Sequence, residues 1–135
     1  MIRILIADDH SQTRKQIRQL LENHDGWQVV AEGSDGHEAI LHTKAHDPHI
    51  VLLDIQMPKM NGFEATRQIL ETFPRMLILI ISFHDGPYFA ETSKTLGAKG
   101  FLAKVHLANE LVPAIESILS GGSHFPGNTA LPAAN

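Results

Sequence analysis

Apolar positions along the chain follow two alternating patterns. Four short runs are almost continuously apolar: Ile4-Leu5-Ile6-Ala7, Ile50-Val51-Leu52-Leu53, Leu77-Ile78-Leu79-Ile80-Ile81 and Phe101-Leu102-Ala103. Runs this short and this rich in Ile, Leu and Val predict strands buried on both faces. Trp27 to Ala31 alternates instead, which predicts a fifth strand at a sheet edge. Between the runs the spacing changes to three and four. The sets Ile17, Leu20, Leu21, then Ala39, Ile40, Thr43, then Phe63, Thr66, Ile69, Leu70, Phe73, and finally Leu111, Ile115, Ile118, Leu119 each predict an amphipathic helix. A further helix from Pro87 to Leu96 is placed by the proline at its start and Gly97 just past its end. Pro113 removes one amide donor, so the last helix is expected to start late or to bend near Asn109.

Strand and helix thus alternate five times, the pattern of an α/β fold: a doubly wound, mostly parallel sheet with helices on both faces. Right-handed crossovers leave few ways to wind it. Ligands in such sheets bind beyond the carboxyl ends of the strands, so the informative residues are those that follow each apolar run. These are Asp8 and Asp9 after the first run, Asp54 after the third, Ser82 after the fourth and Lys104 after the last.

Composition narrows the picture. The 135 residues suit one domain with an ordinary core, and 43% hydrophobic with 19% charged residues describes a globular chain. A net charge of −4 removes the electrostatic case for nucleic-acid or anionic-membrane binding by this chain. Arg14, Lys15 and Arg18 read as one solvated helix face. The chain has no cysteine, which excludes disulfides, thiolate chemistry and zinc fingers. The apolar start is too short for a membrane span and lacks the features of a signal peptide, so a cytoplasmic protein is expected. From Gly121 to Asn135 the glycines and prolines break all periodicity. This predicts one domain over 1–120 and a linker or disordered tail over 121–135.

Singly, each strand-end residue has an ordinary explanation: a turn former, a loop hydroxyl, a surface ammonium. Together they place three carboxylates, one hydroxyl and one ammonium on a single rim. Carboxylates so close repel one another and need a counter-charge. A hard cation such as Mg²⁺ supplies it while keeping several waters. A metal and an ammonium beside a free carboxylate suit phosphoryl transfer, where positioning and charge neutralisation supply most of the catalysis. Nine histidines is a high number, and His42 and His46 share a helix face with His49 nearby. No acid or cysteine completes a metal set there, and solvated surface histidines are the expectation. His10 and His84 flank the rim, and Phe83, Tyr88 and Phe89 cluster beside it.

Four stretches carry a family resemblance: Ile6-Ala7-Asp8-Asp9-His10, Leu53-Asp54-Ile55-Gln56-Met57-Pro58-Lys59-Met60-Asn61-Gly62, Ile81-Ser82, and Gly97-Ala98-Lys99-Gly100-Phe101-Leu102-Ala103-Lys104. Over about residues 2 to 120 the chain resembles two-component response-regulator receiver domains. That resemblance implies the flavodoxin-like (βα)5 fold with strand order 2-1-3-4-5. It implies that Asp54 accepts a phosphoryl group from a sensor histidine kinase, and that Asp9, Asp54 and the main-chain carbonyl of Gln56 bind Mg²⁺, with Asp8 acting through a metal-bound water. It further implies that Lys104 pairs with the phosphoryl group, that Ser82 moves to bond it, and that Phe101 is the switch aromatic, turning from exposed to buried. A protein of this kind is a signalling phosphoacceptor that catalyses only its own phosphorylation and dephosphorylation.

Asp-Asp-His at 8–10, Ser-x-His-Asp at 82–85 and Ser120-Gly121-Gly122 before an aromatic and a proline resemble the NarL/LuxR-type regulators more narrowly. There a linker leads to a helix-turn-helix domain, which implies transcriptional control, DNA contact only through an output domain outside this chain, and a homodimer on phosphorylation. A stand-alone receiver acting through protein contacts is the alternative. Val105 departs from the proline that many receivers carry after the lysine. Two readings from other classes fit less well. Phosphohydrolases of the haloacid dehalogenase type carry Asp-x-Asp-x-Thr after the first strand, whereas Asp8 and Asp9 are adjacent here. A flavodoxin-like cofactor binder shares the fold, but no phosphate-cradling glycine loop follows the first strand.

Overall fold

A computed structural model describes residues 1–126. Five strands, β1 (Ile2–Ala7), β2 (Trp27–Gly33), β3 (Ile50–Asp54), β4 (Leu77–Ser82) and β5 (Gly100–Ala103), form one parallel sheet. Their spatial order is β2-β1-β3-β4-β5, as the receiver resemblance implied. Five helices connect and flank them: α1 (Ser11–Glu22), α2 (Gly36–His46), α3 (Gly62–Thr72), α4 (Pro87–Leu96) and α5 (Leu107–Leu119).

Side chains alternate across each strand, so one apolar run feeds two cores. Ile4, Ile6, Ile50, Leu52, Leu79, Ile81 and Leu102 face α1 and α5, packing with Ile17, Leu21, Leu111 and Ile115. Leu5, Val51, Leu53, Ile78, Ile80 and Phe101 face the other way, onto Ala39 of α2, Ala65 and Ile69 of α3 and Ala90 of α4. The runs therefore lack polar alternation because both faces are covered. β2 lies at an edge, and most of its residues keep partial exposure.

Caps fix where the helices begin. Asp35 accepts the Glu38 amide at the start of α2, and Asn61 accepts the Glu64 amide at the start of α3. Pro87 opens α4, and Gly97, at φ 105, closes it in the left-handed region. Between β3 and α3 the chain doubles back so tightly that Gly62 donates its amide to the Ile55 carbonyl at 2.8 Å. A Cβ on Gly62 would fall 2.0 Å from the Asp54 carbonyl oxygen.

Three expectations are corrected. Of the two effects expected of Pro113, the late start does not occur: a 3-10 turn (Lys104–His106) leads straight into α5, which continues through Pro113. Losing one amide is tolerated because the helix buries Leu111, Ala114, Ile115 and Ile118 against the sheet. Arg14 and Arg18 are not simply solvated, since both pair with Glu32 at the end of β2. The tail does not leave the body at Gly121. Gly121 turns the chain at φ 94, the His124 amide donates to the Lys99 carbonyl (3.0 Å), and the His124 carbonyl accepts the Phe101 amide (2.8 Å). Phe125 then packs beside the Phe101 cluster. Aperiodicity signalled the end of a helix here, not the end of packing. The rest of the expected tail, 127–135, lies outside the described residues.

Candidate functional site

The carboxyl ends of β1, β3, β4 and β5 converge because the strands are parallel and neighbours in the order β1-β3-β4-β5. Ala7 pairs with Leu53, Asp54 with Ile81, and Ser82 with Ala103. The residues at or just past these ends are Asp8, Asp9, Asp54, Ser82 and Lys104, and the fold brings all five to one rim.

Lys104 organises the buried part. Its Nζ lies 2.7 Å from Asp8 Oδ2 and 3.5 Å from Asp54 Oδ2, with all three side chains nearly inaccessible to water. Apart from these ion-pair contacts, Asp8 Oδ2, Asp54 Oδ2 and Lys104 Nζ have no hydrogen-bond partner. Buried charges so sparsely satisfied are costly, which points to a ligand rather than to stabilisation of the fold. Burial, followed by the adjacent Asp8 charge, pushes the Asp54 carboxyl up to about 6 from an ordinary 3.8. Lys104 pulls it down and Asp9 adds a smaller upward push.

A second layer surrounds this core. Asp9 is exposed at the mouth. Asp8 Oδ1 accepts the His10 amide at 2.8 Å, which turns the chain from β1 into α1. The Arg14 guanidinium bonds the Asp8 main-chain carbonyl and reaches Glu32 at 3.0 Å, tying the β1 end to β2. Ser82 Oγ is buried and accepts the His84 amide at 3.0 Å, so the hydroxyl is held by its own loop. Phe83, next in the chain, is 62% exposed yet covers the site. Lys104 Nζ sits 4.1 Å from the centroid of its ring, a cation–π contact, and the His10 ring meets it edge-on at 5.2 Å. Gln56 is exposed two residues beyond Asp54 at the start of the returning loop.

Among the described residues, the one group of three or more acids and histidines able to share a metal ion is Asp8, Asp9, His10 and Asp54, whose donor atoms lie within 4.8 Å of one another. The orphaned carboxylate oxygens and the all-oxygen character of the three acids fit a hard divalent cation. His42 and His46 only tilt against each other at 5.7 Å, and His49 Nδ1 accepts the Arg3 amide. Phe101 is completely buried. It packs in the core on the α2, α3 and α4 side of the sheet, so the exposed starting position is corrected.

Sequence reading missed the support from Arg14, whose only signal was its place one turn into the helix after the acid pair. It noticed His10 and Phe83 as neighbours, but their contacts to the carboxylates and to Lys104 depend on loop geometry.

Comparisons with known proteins place the chain in a family. The family model described as "Response regulator receiver domain" matches residues 4–116. The transcriptional regulatory protein DegU of Brevibacillus brevis is 35% identical over 92% of this chain and 52% of its own length. The response regulator GacA of Pseudomonas protegens is 36% identical over 90% of this chain and 57% of its own. The chain thus spans little more than half the length of these curated relatives. A LuxR-family two-component response regulator from Aurantimonas sp. SI85-9A1 superposes with a TM-score of 0.89 at 38% identity, covering 96% of this chain and 92% of that one. The receiver domain of the response regulator NarL from Mycobacterium tuberculosis gives 0.82 at 32%, covering 89% and 97%. With a matched family model across most of its length and the same sheet order, this chain belongs to the response-regulator receiver domain family, in the company of the LuxR- and NarL-type regulators.

Proposed function

We propose that Asp54 is the phosphoacceptor of this receiver, taking a phosphoryl group from a phosphohistidine of a sensor histidine kinase. The observation that carries this reading is the buried ammonium of Lys104 held between two carboxylates whose Oδ2 atoms lack other partners. In the transfer, an Asp54 carboxylate oxygen forms a bond to phosphorus while the donor's P–N bond breaks. Lys104 lies within reach of Asp54 and can turn from Asp8 toward the new phosphoryl oxygens as a charge-assisted partner. Ser82 releases the His84 amide to donate its hydroxyl to the phosphoryl group. Asp9, Asp54 and the Gln56 carbonyl would hold Mg²⁺, with Asp8 close by to assist. When bound, the ion neutralises charge on the transferring oxygens. Catalysis is confined to the protein's own phosphorylation and dephosphorylation.

The output follows from the new charge, about −1.5 to −2 by analogy with phosphoserine. The Ser82 loop carries Phe83 and leads into α4, so its movement reshapes the surface of α4, β5 and α5 around Phe101, where a second copy can dock. Relatives named as transcriptional regulators support an output through a C-terminal helix-turn-helix domain beyond this chain, in the cytoplasm. Among the described residues no helix is long and apolar enough to cross a membrane.

The test is incubation with a small phosphodonor and Mg²⁺, read by intact-mass spectrometry. Wild type should gain one phosphoryl group and Asp54→Asn none, because an amide oxygen is a poor nucleophile. Equal labelling of the two proteins would refute the assignment.

A further inference from the structure

His10 makes contacts that phosphoacceptance does not require. Its Nδ1 lies 3.0 Å from Asp9 Oδ1, 3.2 Å from Asp8 Oδ1 and 4.0 Å from Asp54 Oδ2. We infer that His10 Nδ1 is a direct metal ligand, and that it tilts the acidic pocket toward divalent transition ions and away from Mg²⁺. The inference rests on the pocket being a metal site, as proposed above, and extends it to the choice of ion.

Three observations support it. First, the spacing fits coordination. Bonds of about 2.1 Å in an octahedron put neighbouring donors about 3.0 Å apart and opposite donors about 4.2 Å apart. The separations from Nδ1 to the two carboxylates that would bind the ion directly fall at those values, Asp9 at the first and Asp54 near the second. Second, hydrogen bonding alone explains the position poorly. A single Nδ1 proton serves one carboxylate well, and the contact to Asp8 is at the long limit for an N–H···O bond. Third, the ring is not used elsewhere. His10 is the N-cap of α1, yet its side chain bonds none of the free helix amides. The backbone bond from its amide to Asp8 and the edge contact with Phe83 turn the ring toward the acids instead.

The chemistry of selection follows from the donor type. Mg²⁺ prefers oxygen and gives up water reluctantly, so an imidazole adds little for it. Co²⁺, Ni²⁺ and Zn²⁺ bind imidazole well, and a fourth protein donor raises their affinity specifically.

Calorimetric titration of the whole chain with Co²⁺ and, separately, Mg²⁺ tests this. The visible absorption of bound Co²⁺ gives an independent readout. His42→Ala/His46→Ala serves as the background, which removes the neighbouring histidine pair as a rival Co²⁺ site. His10→Asn keeps a side chain suited to the N-cap and replaces the imidazole donor with an amide. The Co²⁺:Mg²⁺ affinity ratio should fall by on the order of tenfold or more in His10→Asn, with a changed Co²⁺ spectrum. An unchanged ratio and spectrum would overturn the inference and leave His10 as a hydrogen-bond donor to Asp8. Asp54→Asn separates the two claims. If it retains wild-type affinity for both ions, the pocket is not the metal site, and the reading of His10 falls with it.

Discussion

Replacing Asp54 by Asn should make the metal-free protein more stable at neutral pH. The carboxyl is 3% exposed and is pushed up to about 6 by burial and by Asp8. In the unfolded chain it titrates near its ordinary 3.8. Between about pH 4 and pH 6 the native protein therefore holds a proton that the unfolded chain has released. Stability from this group falls as pH rises through that window and is level above it. The rise from 3.8 to about 6 corresponds to about 3 kcal/mol at pH 7.5. Asn lacks the hydroxyl donor of a protonated acid, so the expected gain is about 1–3 kcal/mol. Urea denaturation in EDTA, followed by far-ultraviolet circular dichroism, reads it directly. With a slope of about 1.5–2 kcal/mol per molar urea, the Asp54→Asn midpoint should lie about 0.5–2 M above wild type at pH 7.5. The two curves should converge near pH 4. Saturating Mg²⁺ should narrow the gap at pH 7.5, because an ion bound to native wild type stabilises it by mass action. A variant midpoint at or below wild type at pH 7.5 without metal would refute the argument that Asp54 is held charged at a cost.

Two further outcomes follow from the same geometry. Lys104→Ala leaves Asp8 and Asp54 buried without a counter-charge, so it should lose about 3–5 kcal/mol in EDTA at pH 7.5. Much of that loss should return by pH 5 as Asp54 takes a proton, and urea midpoints at the two pH values check it. Gly62→Ala drives a methyl into the Asp54 carbonyl at 2.0 Å, so it should cost about 3 kcal/mol or more and weaken Mg²⁺ binding through a displaced Asp54. Denaturation and calorimetry measure both effects, and a Gly62→Ala protein of wild-type stability would show that the loop yields.

The sheet was readable because its strands are buried on both faces and carry uninterrupted Ile, Leu and Val, a signal that no loop or surface helix imitates. The rim was readable because a parallel sheet places every strand's carboxyl end on one side, which turns five scattered positions into one location. Residues such as Phe83 and Arg14 were less legible. What they touch depends on how two loops fold over the sheet, and no periodicity encodes that. Phe101 was assigned from resemblance alone, and its resting position depends on packing against the α2, α3 and α4 side of the sheet. The docking of His124 and Phe125 was not legible because a single bridging residue carries no repeat.

The backbone pairing of His124 bears on how molecules of this protein keep apart. An outermost parallel strand offers free amides and carbonyls along its open side, and any extended peptide can complete them. Along β5 and the residue before it, those groups at Lys99 and Phe101 are already taken, and Gly100 between them leaves room for the approach: a Cβ there would stand 2.9 Å from the His124 carbonyl. The protein thus blunts one of its two sheet borders with its own chain. A fragment cut at the end of α5 would expose that border and become more prone to strand exchange and clumping, although every residue of the acidic rim would still be present.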